Sequence, residues 1–315
     1  VFDASAGYVD LRPTAAFTEQ TKYLDDALHA DARHESVSPP LLGSKVRHNM
    51  LRRLLMPGPG DRIVDLGCGS GRSVAWHAAS GATIVGIDIS PFFAHDAIVR
   101  CDLLLGDLRR LPFKDAVFTK SWSLDVLEHL SPEALRDVLA EANRVLAPGG
   151  ALFVYTHVRK NGWLAGGLRL INGLARQLER VGLIDLRQER LRKSDHLNPL
   201  TDHDDLARTM AVAGFSLERV VYYTPLIGAF VENILMRVAE RLLARRAAAR
   251  QPGTDKNDVA AVREARTAAK ARLARGGPVY QSLRLLSAIM MLDIVLFGRM
   301  KSGPFFALAR KAPRP

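Results

Sequence analysis

The run Ile63-Val64-Asp65-Leu66-Gly67-Cys68-Gly69-Ser70-Gly71 joins a short apolar strand to a glycine-rich turn. Glycines at 67, 69 and 71 permit positive φ and let bare backbone approach a nucleotide-like ligand, and a helix expected from Ser73 to Ala79 aims its first amides at the same place. A second apolar run, Thr83-Ile84-Val85-Gly86-Ile87-Asp88, ends in an acid about 20 residues on, where a carboxylate can accept hydrogen bonds from ribose hydroxyls. The spacing differs from the nicotinamide fingerprint G-x-G-x-x-G: here it is D-x-G-x-G-x-G, with Asp65 at the strand end. A carboxylate there repels a pyrophosphate but serves an ammonium group. The ligand so described has an amino-acid part, a nucleoside part and no phosphates, which makes the chain a candidate cofactor-dependent enzyme.

The elements that must hold these residues alternate. Strands are expected at 62–66, 83–88, 101–105, 117–122 and 151–157 with helices between them, the pattern of an α/β fold with a parallel, doubly wound sheet. Ser131-Pro132-Glu133 reads as a capped helix start. Thr201 to Asp205 reads as another, leading through Ala213 to Gly214 and a strand from Phe215 to Tyr223.

In the same order, further segments carry a resemblance. Gly106-Asp107-Leu108 with Leu111-Pro112-Phe113, Asp125-Val126-Leu127-Glu128-His129-Leu130, and Asn143 through Leu152 with its Pro148-Gly149-Gly150 turn resemble the class I S-adenosylmethionine-dependent methyltransferases. The likeness is to the small-molecule branch that includes the ubiquinone and menaquinone biosynthesis enzymes, and it covers roughly residues 60 to 157. It implies a Rossmann-like, seven-stranded sheet with helices on both faces and S-adenosyl-L-methionine as cofactor. By motif position, Asp65 and Gly67 would face the methionine moiety, with Cys68, Gly69 and Gly71 in the turn around it. Asp88 would take the ribose hydroxyls, Ile89 would pack on adenine, Asp107 and Leu108 would meet the adenine amino edge, and Ser123 or Leu124 would lie beside the methionine part. Lys120-Ser121-Trp122 departs from the usual apolar strand. An Asn/Asp-Pro-Pro-aromatic tetrad for nitrogen acceptors is missing, so oxygen is the preferred acceptor and carbon the next.

An oxygen acceptor benefits from a base, worth about 10²–10⁴-fold. His129 lies in the signature after the fourth core strand, His157 at the carboxyl end of the fifth, where open α/β sheets bind ligands, and His196 and His203 on the approach to the sixth. His29, His34 and His48 are expected on the surface or in a lid. Neither a Cys/His set with zinc spacing nor a compelling acidic cluster is visible, so no metal is expected. Cys68 and Cys101 form no disulfide framework and no signal peptide stands out, which points to a cytoplasmic protein.

Phe305 to Lys311 looks like the family's closing strand, so Thr224 to Ser302 becomes an insertion between the last two strands. The domains expected are a helical cap (1–60), the cofactor-binding core (61–158), a basic amphipathic insertion (159–200), the core helix and sixth strand (201–223), the second, helical insertion (224–302) and the closing strand and tail (303–315). The chain of 315 residues carries a net charge of +11, and the positive excess lies in those two insertions, leaving the remainder slightly acidic. Leu226 to Arg246 is a basic amphipathic helix, with Arg237, Arg241, Arg245 and Arg246 beside its apolar face. Trp163 to Val181 is a second, and Val279 to Phe297 is apolar almost all round but interrupted by Arg284 and Asp293. Such helices pack as a lobe, lid or homo-oligomer interface, or they meet an anionic membrane and a lipid-linked acceptor on the inner face of the cell membrane. Asp258 to Arg275 reads as an exposed helix or linker. Nucleic acid is disfavoured as a partner, because aromatic residues make up only 7% of the chain and do not interleave with the basic ones. The remaining class, a non-catalytic binding module, is disfavoured by the intact cofactor motifs.

Overall fold

A mixed sheet of eight strands organises the computed structural model, which describes residues 6–12, 36–160, 162–186, 196–239, 241–242 and 277–312. The strands are β1 (Val9–Asp10), β2 (Arg62–Leu66), β3 (Thr83–Asp88), β4 (Asp102–Leu105), β5 (Phe118–Leu124), β6 (Leu146–His157), β7 (Phe215–Tyr222) and β8 (Pro304–Lys311), in the order β1-β4-β3-β2-β5-β6-β8-β7. Pairing is parallel from β1 to β6, and β8 runs antiparallel between β6 and β7. Seven of these are the expected sheet. The addition is β1, which pairs Val9 with Leu104 and Asp10 with Leu105 and is too short to show any period in the sequence.

Two strands outrun their expected limits. β5 continues to Leu124 because its polar atoms are satisfied where they stand: Lys120 Nζ meets Asp61 at 2.7 Å and the Met56 carbonyl at 2.8 Å, and Ser121 Oγ donates to Val64 O at 3.1 Å. β6 absorbs the Pro-Gly-Gly turn.

Side chains alternate between two cores, as a period of two requires. On one face Ile63, Trp122, Phe153, Tyr155 and Phe306 pack under helix α1 (Gly43–Leu54) through Val46, Met50 and Leu51. On the other, Val64, Leu66, Leu152, Val154 and Phe305 meet Leu135, Val138 and Leu139 of α4 (Pro132–Val145) and Leu206 and Met210 of α6 (His203–Val212). The Ser131 hydroxyl caps α4 by accepting from Ala134 N at 3.1 Å, and Asp202 caps α6 from Asp205 N at 3.0 Å. Short helices α2 (Arg72–His77) and α3 (His95–Arg100) complete the early crossovers.

After β6 the chain forms α5 (Ala165–Arg180), within the span expected over Trp163 to Val181. Between β7 and β8 it forms α7 (Leu226–Phe230), a π turn (Val231–Leu235), α8 (Pro278–Met290) and α9 (Leu292–Phe297). These helices are tied to the core at polar points. The buried Asp293 carboxylate of α9 accepts from the amides of Ile227 and Gly228 at 3.0 and 2.8 Å, which satisfies the start of α7. Ser287 of α8 accepts from Leu42 N at 2.7 Å, and Glu232 accepts from Gly43 N at 2.9 Å, so both clasp the first turn of α1. The helix expected over Thr18 to Ala32, His29, His34, Arg245, Arg246 and the 258–275 segment lie outside the described residues.

Candidate cofactor and acceptor site

The glycine turn closes onto β3. Gly67 N and Cys68 N both donate to Ile87 O, at 2.9 and 3.1 Å, and Gly71 N returns to Cys68 O at 2.9 Å. All three glycines have positive φ, of 81°, 54° and 77°, but for different reasons. A Cβ on Gly67 would lie 2.3 Å from Val126 Cγ2, and one on Gly71 would lie 3.0 Å from Ala97 Cβ, so the protein itself excludes them. Among the described residues, a Cβ on Gly69 would meet nothing within 4 Å. Gly69 is therefore where the turn presents bare backbone to open space. The helix that follows, α2, has only six residues, so the turn and not a helix end shapes the site.

Two carboxylates flank that opening. Asp88 accepts from Gly69 N at 2.7 Å on one oxygen and from Ser90 N at 2.9 Å on the other, which leaves each oxygen a lone pair for a diol. Desolvation pushes its carboxyl above the usual range against those amide bonds. Asp65 is 1% exposed, and among the described residues neither of its oxygens has a partner within ordinary hydrogen-bond geometry. It stands in register with Trp122 of the neighbouring strand, whose indole N–H acts on it from outside ordinary hydrogen-bond geometry. Burial pushes the Asp65 carboxyl up to about 7; the Trp122 indole opposes this and the Asp88 charge adds to it. A buried carboxylate without a partner is costly, and a cation placed beside it removes the cost. These groups fit the amino-acid and nucleoside ends of S-adenosylmethionine.

The other expected cofactor residues divide. Cys68 is buried, its thiol pushed up by desolvation, and its Sγ sits against the bare Cα of Gly86, where a Cβ would come within 2.8 Å; its side chain is a packing element. Ser123 Oγ donates to Leu66 O at 3.0 Å and stitches β5 to β2, so its buried hydroxyl is committed to the sheet. Asp107 is clasped by Arg109, with Nη2 at 2.9 Å. Leu108 packs on the second core and Leu124 on the first, and Ile89 is half-buried just beyond β3.

Three of the four candidate bases converge beyond β5 and β6. His157, the last residue of β6, holds Nδ1 3.3 Å from Glu128 Oε1, and Thr156 Oγ1 donates to Glu128 Oε2 at 2.8 Å. Burial pushes the Glu128 carboxyl up, but the His157 imidazole, with the Thr156 hydroxyl, outweighs it and holds the group below the usual range. The His196 ring lies 4.6 Å from that of His129, edge to face, and 5.8 Å from that of His157. His203 is elsewhere: its Nε2 meets Ser302 O at 2.8 Å and its ring packs on Tyr222 and Phe305. His48 is corrected from a surface or lid position to the interior, where its ring lies 4.5 Å from that of His77, tilted by 41°, and burial pushes it down to about 3.

Sequence reasoning passed over Arg47 and named Asp125 and Glu128 only within the signature that follows the fourth core strand. Arg47 of α1 reaches Asp125 at 3.3 Å and lies 5.4 Å over the Tyr155 ring, so α1 closes one side of the histidine group. Asp125 has a φ of 57°, a left-handed turn that ends β5. The only signal available was an acid paired with histidine in Leu127-Glu128-His129; nothing marked Arg47.

The outer faces of the inserted helices are apolar and exposed. Leu170 of α5 is 77% exposed and Val295 of α9 71%, with Trp163, Leu174, Leu285 and Leu296 also open to solvent. Pro278–Phe297 is long and apolar enough to cross a membrane by length and composition, but its Asp293 is committed to α7, so one side of it belongs to the protein.

Comparison with known proteins bears on this arrangement. A family profile described as a methyltransferase domain matches residues 64–154. A 24-methylenesterol C-methyltransferase of Oryza sativa subsp. japonica is 35% identical over 127 residues, which cover 36% of this chain and 34% of that protein. An uncharacterised methyltransferase of Synechocystis sp. is 30% identical over 125 residues (39% and 59%), and a demethylmenaquinone methyltransferase of Tropheryma whipplei is 36% identical over 111 residues (32% and 44%). The chain thus spans less than two thirds of these relatives. Among solved structures, the [4+2]-cyclase SpnF superposes with a TM-score of 0.53 at 18% identity, covering 96% of this chain and 98% of that one. That likeness shows the fold.

Proposed function

We propose, from the premise that residues 64–154 are a methyltransferase domain, that this chain is an S-adenosylmethionine-dependent enzyme that methylates a lipophilic or lipid-linked small molecule at an anionic membrane surface, on oxygen first and carbon second. The observation that carries the cofactor is Asp65, a buried carboxylate with no cationic partner among the described residues, beside a glycine turn open at Gly69. When bound, S-adenosylmethionine would supply an electrophilic sulfonium methyl group, open to in-line attack by a nucleophile with the neutral thioether as leaving group. The protein's part is to hold, align and exclude water. Asp65 pairs with the ammonium group, Gly69 gives the ligand access to backbone, and Asp88 takes the ribose diol. His157, oriented through Nδ1 by Glu128, accepts the proton of a hydroxyl acceptor.

Two features support the acceptor class. The rice and Tropheryma relatives are named for a sterol and a demethylmenaquinone, both lipophilic, and the sterol enzyme is named for transfer to carbon. The apolar outer faces of α5, α8 and α9 belong to the insertions that carry the positive charge excess, a combination suited to anionic lipid.

Calorimetry with S-adenosylmethionine tests the reading. The parent should bind saturably, and Asp88→Ala should bind at least tenfold more weakly while keeping a cooperative thermal transition. A parent protein without affinity for the donor or its demethylated product refutes the proposal. Transfer of labelled methyl into a lipid and quinone extract then identifies the acceptor and, after degradation, the atom.

A further inference from the structure

His196 lies far along the chain from the adjacent pair Glu128 and His129, a spacing that signals no metal site, yet the fold brings the three together. One carboxylate oxygen and one nitrogen from each imidazole lie within 4.8 Å of one another. Two local ties set this geometry. Glu128 and His129 share the short turn Leu127–His129, and the backbone amide of Asn198 donates to Glu128 O at 2.8 Å, which pins the segment carrying His196 against that turn.

We propose that Glu128, His129 and His196 bind a divalent cation of the borderline class, such as zinc, iron(II) or cobalt(II). Two imidazoles with one carboxylate select that class over magnesium or calcium, which take oxygen sets. Bonds of about 2.0–2.2 Å require the three donors to draw together by roughly an ångström. The two histidines are half-buried and can do so by side-chain rotation, while the carboxylate is fixed. Glu128 is 1% exposed, and its carboxylate is held by the Thr156 hydroxyl at 2.8 Å and approached by His157 at 3.3 Å. Such outer partners orient a metal-binding carboxylate. Three protein ligands leave coordination positions open to water or a substrate oxygen, as in catalytic rather than closed structural sites. The inference goes beyond donor binding and stands whether or not the donor binds.

The test is titration of the metal-free full chain with Zn²⁺ by calorimetry and with Co²⁺ by visible absorption. The expected result is one ion per chain, with d–d absorption, and at least tenfold weaker binding in both His129→Ala and His196→Ala. His203→Ala, which removes an imidazole outside the cluster, should bind as the parent does. The half-buried histidines are chosen over buried Glu128 so that the variants fold, and circular dichroism verifies this. No saturable uptake by the parent, uptake that survives the double His129→Ala/His196→Ala change, or an equal loss in His203→Ala overturns the site.

Discussion

With Asp65 as the proposed partner of the ammonium group, cofactor binding becomes a proton-linked event. In the empty protein its carboxyl is pushed up to about 7 by burial, from 3.8. An ammonium group beside it restores an ordinary carboxylate value of about 4. At pH 7 about half of the empty molecules carry the proton, and at pH 6 about nine tenths, so binding should release about 0.5 and 0.9 protons respectively. Protonation of Asp65 in the ligand-free protein weakens binding by a factor of 1 + 10^(7 − pH), about 30-fold at pH 5.5 and about twofold at pH 7. Affinity should therefore rise about 15-fold across that window, below the range in which the ligand's own amine titrates near 7.7–8.0.

The same group acts on stability with a fixed sign. Its folded value lies above its unfolded value, so the folded chain binds more protons between pH 3.8 and about 7, and stability falls as pH rises through that range. The full effect is of order 4 kcal/mol, at 1.36 kcal/mol per pH unit. Asp65→Asn should remove both effects: a flatter stability curve from pH 4 to 8, a higher midpoint than the parent at pH 8, and weaker cofactor binding without this proton release. Calorimetry in two buffers of different ionisation enthalpy measures the protons, and thermal melts measure the stability. A parent whose heat of binding is independent of buffer at pH 6, or a variant that releases as many protons as the parent, refutes the assignment of Asp65 to the ammonium group.

Three further outcomes can be checked. Gly67→Ala should destabilise by about 2–5 kcal/mol, from left-handed strain plus overlap with Val126, whereas Gly69→Ala should cost only about 1–2 kcal/mol yet weaken donor binding; chemical denaturation and calorimetry separate the two. With an oxygen acceptor, His157→Ala should lower kcat by about 10²–10⁴-fold and leave the donor Kd unchanged, as read by labelled methyl transfer. Replacing Leu285, Val295 and Leu296 together with aspartate should abolish co-sedimentation with phosphatidylglycerol vesicles and leave the thermal midpoint near that of the parent, since all three side chains are exposed.

Legibility in the sequence followed the range of the interactions concerned. Strands β2 to β6, the caps at Ser131 and Asp202 and the positive-φ glycines are local features, and each could be read from a few neighbouring residues. The two-residue β1 could not, because it has no periodicity of its own and exists only by pairing with β4. Side-chain direction was also hidden. Ser123 and Cys68 sit at motif positions, yet one hydroxyl is bonded to Leu66 O and the thiol is packed under Gly86, choices made by strand alternation and neighbouring volume. His129, His157 and His196 could be named singly, but their convergence on Glu128 depends on the Asn198 amide reaching across to a turn far back in the chain.

The insertions bear on the site through α1. Ser287 of α8 and Glu232 of the π turn bond the first amides of α1, and the next turn of that helix delivers Arg47 to Asp125 and the Tyr155 ring. Asp125 in turn feels the charge of Glu128, and desolvation with that neighbour pushes its carboxyl up against the pull of Arg47. A change that loosens α8 from α1 therefore reaches the histidine group through one helix and one ion pair. Ser287→Val removes the buried hydroxyl that accepts from Leu42 N and leaves that half-buried amide without it, a loss of about 1 kcal/mol. Its effect should appear in Arg47 placement as well as in stability: with an oxygen acceptor, kcat should fall while the donor Kd, set on the far side of β2, stays put. Equal losses in both would mean that α8 supports the whole domain and not the acceptor end in particular.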